Sequence, residues 1–248
     1  MNTNDHQSLV NANATEWFHG RSYHHERFSD LAELGRLKRE SGRSVSLVLP
    51  GRDVADTIGG ILDEIHAVNE RTEREAGVPL ADEILVIDGD SSDETFDTAA
   101  RHGARVYSEN ELMTRYGGNH GKGDAMWRSL SVAAGDIIMF ADADTRDFGP
   151  EFVYGTLGPL LAEPQVRYVK AAYRRPFASG EGVEPDGGGR VTELSTKPLF
   201  NLFYPELTGF VQPLAGEFAA DRELFLSIPF LTGYAVETGI MIDVLGKA

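Results

Sequence analysis

From Val45 onward, short apolar runs of strand length alternate with stretches whose apolar residues recur at helical spacing. Val45–Leu49 is rich in β-strand formers and is stopped by Pro50-Gly51; Ile58, Ile61, Leu62 and Ile65 then follow a helical period. Glu83–Ile87 predicts a second strand, ended by Asp88-Gly89-Asp90-Ser91-Ser92-Asp93. A helix is predicted over Thr95–His102, with Ser91, Ser92 or Asp93 available as its cap and Gly103 as its stop. Ala104–Tyr107 predicts a third strand, Asp124–Ala134 a helix and Asp136–Phe140 a fourth strand. Residues 1–43 are polar and charged, with a helix expected around Leu31–Glu40. Beyond residue 150 the pattern loosens. Tyr168–Tyr173 reads as a strand, Phe177–Gly189 as a glycine-rich acidic loop, and Val191–Phe203 as a helix. Pro205–Leu214 reads as irregular or partly extended, Ala219–Leu226 as a helix, and Tyr234–Leu245 as an apolar run carrying Glu237 and Asp243.

Strands alternating with helices imply an α/β fold, Rossmann-like, with a mostly parallel sheet covered by helices on both faces. In such sheets ligands bind outside the carboxyl ends of the strands. Pro50, Asp88 and the segment after Phe140 all lie at those ends. The expected organisation is an N-terminal polar extension over 1–43, an α/β half over 44–150 and a second half over 151–248.

Composition narrows the function. A net charge of −16 excludes general binding to nucleic acid or to an anionic membrane, both of which need a basic surface. The basic residues are local instead: Lys122 and Arg128, then Lys170, Arg174 and Arg175, then Arg190. A cationic pocket within an acidic protein favours a small phosphorylated molecule. No apolar stretch reaches the length of a membrane span, and the N-terminus lacks the pattern of a signal peptide. The absence of cysteine fits a cytoplasmic enzyme, so the Asn13-Ala14-Thr15 sequon carries no weight.

The sharpest chemical feature is Asp142-Ala143-Asp144 after the apolar run that ends at Phe140. Mg²⁺ and Mn²⁺ take hard oxygen ligands, and one or two carboxylates plus phosphate oxygens complete their shell. In an extended strand, positions i and i+2 point the same way, so both carboxylates would reach one ion. A turn after a strand is also rich in aspartate. Gly117-Gly118-Asn119-His120-Gly121-Lys122-Gly123-Asp124 suits a phosphate, with glycines admitting the backbone and Lys122 adding charge, though a plain surface loop has the same make-up. Gly187-Gly188-Gly189-Arg190-Val191-Thr192 opens a helix and suits a phosphate monoester or a carboxylate; a capped helix after a linker reads the same. Tyr23-His24-His25 lacks partner carboxylates at ligand spacing and reads as packing or surface. Glu217 and Glu237 lie in apolar runs, either as solvent-facing ends or as desolvated functional acids.

Taken together, several segments resemble the glucosyl-3-phosphoglycerate and mannosyl-3-phosphoglycerate synthases, retaining glycosyltransferases of the GT-A fold. They are the Asp-x-Asp, Gly121-Lys122-Gly123-Asp124-Ala125-Met126-Trp127-Arg128-Ser129-Leu130 and Gly187-Gly188-Gly189-Arg190-Val191-Thr192-Glu193-Leu194. Tyr173-Arg174-Arg175-Pro176, Gln212-Pro213-Leu214-Ala215-Gly216-Glu217 and Gly233-Tyr234-Ala235-Val236-Glu237 extend the likeness, which runs from Val45 to the end. The resemblance implies a nucleotide-sugar-binding half over 44–150 and an acceptor-binding portion over 151–248. It implies that Pro50, Gly51 and Arg52 line the nucleotide site with Gly89 at its edge, and that Lys122 contacts the donor diphosphate. Asp144 would be the direct ligand of Mg²⁺ or Mn²⁺, with Asp142 on the ribose or behind the metal. Gly189, Arg190 and Thr192 would bind 3-phosphoglycerate, and Glu237 would lie near the transferred sugar. A homodimer is usual for similar proteins.

Two departures stand out. Related sequences carry a carboxylate after the first strand where this chain has Val54, which leaves room for guanosine as well as uridine donors, hence for GDP-mannose as well as UDP-glucose. Relatives also continue past the point corresponding to Ala248 and there carry a histidine that completes the metal site. The expected function is therefore metal-dependent transfer of mannose or glucose from a nucleoside-diphosphate sugar to the 2-hydroxyl of 3-phosphoglycerate. Transfer to a lipid or polysaccharide, and nucleotide-sugar binding without catalysis, are the alternatives.

Overall fold

The computed structural model describes Phe18 and residues 20–173, 177–179, 182–184 and 189–247. Its centre is a six-stranded sheet in the order β3-β2-β1-β4-β8-β5. The strands are β1 (Val45–Gly51), β2 (Glu83–Asp88), β3 (Arg105–Ser108), β4 (Ile137–Phe140), β5 (Tyr168–Lys170) and β8 (Phe218–Asp221). β1 to β4 are parallel, whereas β8 runs antiparallel to both β4 and β5. Only β8 is reversed, so the sheet is mixed rather than purely parallel.

Alternation along the strands sends side chains to two separate cores, as a sheet covered on both faces requires. Leu47, Leu49, Val86, Ile137 and Met139 pack with Leu31, Leu34, Ile58, Ile61, Leu62, Val153 and Leu157. Those partners come from α1 (Leu31–Ser41), α2 (Ala55–Ala76) and α5 (Pro150–Ala162). Val48, Leu85, Ile87, Ile138, Phe140 and Phe218 face the other way, onto Met126, Phe225, Val236 and Ile240. This second layer holds α4 (Lys122–Ser129), α7 (Arg222–Leu226) and α8 (Val236–Leu245). Helix boundaries follow local chemistry. Asp30 accepts the Glu33 N–H at 3.1 Å to start α1, and Gly42 at φ 65° stops it. Between β2 and β3, α3 (Thr95–Arg101) begins where Asp93 accepts the Thr95 N–H at 2.9 Å.

Three expectations are corrected. Ala219–Leu226 is not one helix: Phe218–Asp221 is an interior strand and only Arg222–Leu226 is helical. Alanine favours helix locally, but a strand in this place fills the gap between β4 and β5, and Phe218, Ala219 and Ala220 are fully buried there. The loop over 177–189 contains a small antiparallel pair, β6 (Phe177–Ser179) with β7 (Gly182–Glu184). Val191–Phe203 is not a uniform helix but a π-type turn over Thr192–Thr196 followed by α6 (Lys197–Phe203). Pro198 has no N–H to give and its ring crowds the carbonyl four residues back, so the preceding turn widens.

Candidate active site

β1 pairs with β4 only as far as Val48–Phe140, then continues beside β2 to Gly51–Asp88. The two central strands therefore part at their carboxyl ends, opening a crevice at the point where strand order reverses. On its β1–β2 side two loops clasp each other. Ser91 Oγ accepts the Asp53 N–H at 2.9 Å, Asp53 accepts the Ser92 N–H at 2.7 Å, and Thr95 Oγ1 accepts the Val54 N–H at 2.8 Å. The segment Pro50-Gly51-Arg52 is thereby fixed, with Arg52 exposed along the rim beside Gly89.

The aspartate pair falls just past the end of β4, on a turn, so strand alternation does not aim the two carboxylates together. Asp142 is half-buried and accepts from Lys122 Nζ at 2.6 Å. Asp144 is exposed and makes no hydrogen bond or ion pair among the described residues. Lys122, the first residue of α4, also lies 2.8 Å from Glu237 Oε1. Burial opposes the charge on Lys122, but Asp142 and Glu237 outweigh it and raise the ammonium above its ordinary range. Glu237 is buried, in the first turn of α8, where a negative charge meets the positive end of the helix. Three residues far apart in the chain thus meet in one ionic chain beside an open carboxylate.

The walls explain the glycines. Gly216 is pressed against Asp142, and a Cβ there would lie 1.9 Å from Asp142 Oδ1. At Gly123 a Cβ would meet the Leu231 carbonyl at 1.8 Å, so the close approach of α4 to the segment leading into Glu237 needs glycine. Gly216→Ala can be relieved by swinging the Asp142 carboxylate off Lys122. We expect it to lower the unfolding temperature modestly, because Lys122 keeps only its Glu237 partner, while lowering turnover about a hundredfold, as a displacement near 1 Å does; thermal melts beside steady-state rates check this.

The reversal of β8 brings a further group to the crevice, because its first residues lie beside the carboxyl end of β4. Glu217 is fully buried there and accepts from Thr145 Oγ1 at 3.3 Å. Lys170, at the end of β5, donates to the Ala215 carbonyl and lies 4.5 Å from the Phe218 ring centroid. Burial pulls the Lys170 ammonium down to about 7 against the opposing pull of Glu237. Lys170, expected with Arg190 in an anion cradle, is engaged here with the wall of the crevice. Arg174 and Arg175, expected in that cradle, lie outside the described residues. Arg128 is likewise no surface cation. Fully buried, it donates to the carbonyls of Leu112, Gly117 and Gly118 and pairs with Asp124 at 3.1 Å, stapling the glycine-rich loop that leads to Lys122.

Gly189, Arg190 and Thr192 open the segment that becomes α6, with Gly189 at φ 83° and Thr192 buried. A third, small core joins Phe200 of α6 to Met241 of α8, one turn beyond Glu237. Gly187 and Gly188 lie outside the described residues. His24 is placed 3.5 Å from Glu26, and His25 faces the Tyr154 hydroxyl at 3.4 Å. Among the described residues no group of three or more His, Cys, Asp or Glu could hold a metal alone, and no helix is long and apolar enough to cross a membrane. The donor set still suits a hard cation. An open carboxylate at Asp144, with Asp142 behind it, is the kind of partial site that substrate phosphates complete.

The glycosyl transferase family 2 model matches residues 61–225, which span β2, the aspartate pair and β8. The chain belongs to glycosyl transferase family 2. It is 44% identical over 227 residues to the glucosyl-3-phosphoglycerate synthase of Petrotoga mobilis, covering 92% of this chain and 68% of that one. Among solved structures, mannosyl-3-phosphoglycerate synthase from Rubrobacter xylanophilus superposes with a TM-score of 0.86 at 67% identity, covering 94% of this family 2 chain and 71% of that one. Glucosyl-3-phosphoglycerate synthase from Mycobacterium tuberculosis, in complex with Mn²⁺, UDP-glucose and phosphoglyceric acid, superposes at 0.76 with 39% identity, covering 88% and 70%. The α/β sheet described above is that of the GT-A glycosyltransferases.

Sequence reasoning did not single out Glu109, or the inward roles of Lys170 and Arg128. Glu109 lies two residues past the predicted strand Ala104–Tyr107 and was open to notice. The directions of Lys170 and Arg128 depend on loops that meet only in the folded chain.

Proposed function

We propose that this protein transfers mannose or glucose from a nucleoside-diphosphate sugar to the 2-hydroxyl of 3-phosphoglycerate, with retention at the sugar carbon. The observation that carries the reading is Lys122 held between Asp142 and Glu237 beside the open Asp144, in a chain similar over most of its length to a glucosyl- and a mannosyl-3-phosphoglycerate synthase. Asp144, backed by Asp142, would hold Mg²⁺ or Mn²⁺, which when bound neutralises charge on the departing diphosphate. Lys122 contributes a fixed positive charge from the protein side, already oriented by two carboxylates and so needing no reorganisation. Pro50, Gly51, Arg52 and Gly89 line the nucleotide, and Gly189, Arg190 and Thr192 hold the acid and phosphate of the acceptor.

Glu237 is engaged by Lys122 and is assigned to orienting the sugar and the acceptor hydroxyl, not to nucleophilic attack. The bond from the sugar carbon to the diphosphate oxygen breaks as the bond to the acceptor oxygen forms on the same face. The acceptor proton passes to the leaving phosphate oxygen. We divide the chain into an extension over 1–43, a donor half over 44–150 and an acceptor half over 151–248, and read the protein as cytoplasmic, as its cysteine-free composition fits, and as a homodimer, as is usual for similar proteins.

Incubation with GDP-mannose, GDP-glucose or UDP-glucose, 3-phosphoglycerate and Mg²⁺ tests the reaction; donor binding without a phosphorylated glycoside product would sink it. Arg190→Ala is expected to raise the KM for 3-phosphoglycerate by about a hundredfold, the worth of a charge-assisted contact to phosphate or carboxylate. The donor KM should barely move; a loss of donor affinity instead would reverse the two pockets.

A further inference from the structure

The carboxyl ends of β1, β2 and β3 lie in register, Gly51 opposite Asp88 and Asp88 opposite Ser108, with Glu109 the next residue along. This rim carries two acids that the reaction above does not use. Asp88 is buried; its Oδ2 accepts the Ser91 N–H at 3.2 Å, while Oδ1 has no hydrogen-bond partner among the described residues. Glu109 is half-buried, and Asn119 donates to its Oε2 at 2.6 Å, with no described residue donating to Oε1. Burial pushes Glu109 up to about 7 against the pull of Arg52, and the Asp88 carboxylate adds to the rise. A buried acceptor left without a donor, as Asp88 Oδ1 is, is uncommon in folded proteins and points to a partner from outside. Gly89 keeps the rim low: a Cβ there would lie 3.1 Å from Arg52 Cβ and 3.3 Å from the Gly51 carbonyl.

Two neighbouring carboxylates suit a ligand edge that presents N–H groups side by side. Guanine offers a ring N–H next to an exocyclic amino group, with its O6 carbonyl on the other flank. Uracil offers a single N–H between two carbonyls, so one carbonyl oxygen would face a carboxylate. We propose that Asp88 and Glu109 form the base-reading edge of the donor site and select guanosine- over uridine-diphosphate sugars. Asp88 accepts the ring N–H that both bases carry, and Glu109 accepts the amino group that guanine alone carries. Arg52, on the same rim, is left to meet the O6 carbonyl. The assignment rests on the nucleotide-sugar reading and names which nucleotide that site takes.

Titration calorimetry with GDP and with UDP, each with Mn²⁺, tests it on the full chain without sugar or 3-phosphoglycerate. The unaltered protein should bind GDP tighter than UDP by on the order of tenfold or more, the worth of a hydrogen-bonded charge. Glu109→Ala should weaken GDP by about that factor, since the amino-group contact is lost, and leave UDP as tight as before or tighter, since the carboxylate facing its carbonyl oxygen is gone. Glu109→Arg, which replaces the acceptor by donors, should bring UDP level with or ahead of GDP. Equal or tighter UDP binding by the unaltered protein, no binding of either nucleotide, or an equal loss of both in Glu109→Ala overturns the assignment. A clear GDP preference without transfer to 3-phosphoglycerate would reject the proposed reaction and leave the base reading standing. Intact transfer with equal GDP and UDP affinity would do the reverse.

Discussion

Asp144→Asn is expected to lower turnover by on the order of a thousandfold while leaving stability within about 0.5 kcal/mol of the parent. The side chain is exposed and bonds to nothing described, so its removal costs the fold little. Its value lies in the charge it presents at the mouth of the crevice. An amide keeps the shape and loses that charge, and a hard divalent cation discriminates strongly between the two. Calorimetric titration of Mn²⁺ with a nucleoside diphosphate gives a readout apart from catalysis: the heat of metal-dependent binding should largely disappear. Turnover near the parent's, with Mn²⁺ binding retained, would remove Asp144 from the metal site.

Lys122→Met is expected to damage folding and chemistry together. Removing the ammonium leaves Glu237, which is 4% exposed, facing Asp142 without the charge that bridges them. Breaking such a buried pair from one side costs about 3 kcal/mol, because the stranded carboxylate keeps its desolvation penalty. The sign of the pH dependence follows. With the lysine gone, burial and the neighbouring acid raise the folded-state pKa of the stranded carboxylate above its unfolded value. Proton uptake then favours the folded state, so the deficit should be greatest near neutral pH and shrink as pH falls towards the carboxylate range. Urea unfolding of parent and variant at two pH values measures this. Equal stability at neutral pH would mean that the ionic chain through Lys122 holds nothing together. Lys122→Arg keeps the charge and should recover most of the stability. Its recovery of turnover should be smaller, since the fork cannot reproduce a point charge directed at both carboxylates.

The two effects differ because the carboxylates lie on opposite sides of one turn. Asp142 faces inward, held by Lys122 and walled by Gly216, and is part of the architecture. Asp144 is exposed and bonds to no described residue. The spacing of two residues suggested equal partners, as it would on a continuing strand. The strand ends at Phe140, and the turn that follows gives the acids different neighbours.

Much of the fold over residues 44–150 was legible in the sequence because its signals are local. β-branched runs broken by Pro50-Gly51 and by Asp88-Gly89 predict strands, and the spacing of Ile58, Ile61, Leu62 and Ile65 predicts the long helix behind them. The consequence that ligands gather at the carboxyl ends needed only the parallel order. Past residue 150 local signals misled. Phe218-Ala219-Ala220 has no preference strong enough to announce a strand, and becomes one because it fills the place between β4 and β5. That reversed strand then delivers Glu217 and the Gln212–Gly216 turn to the crevice, which no local pattern encodes.

The amino-acid sequence by itself determined the α/β alternation, the Asp142–Asp144 pair, the glycine-rich approach to Lys122 and the likeness to the glucosyl- and mannosyl-3-phosphoglycerate synthases, since each depends on residues close together in the chain. Only the tertiary structure decided that Lys122 bridges Asp142 and Glu237, that Lys170 and Arg128 turn inward to hold loops, and that Asp88 and Glu109 share one rim. The physical reason is the same in each case. A charged side chain takes its role from the partners that compensate its desolvation, and here those partners come from elements separated by up to a hundred residues and more.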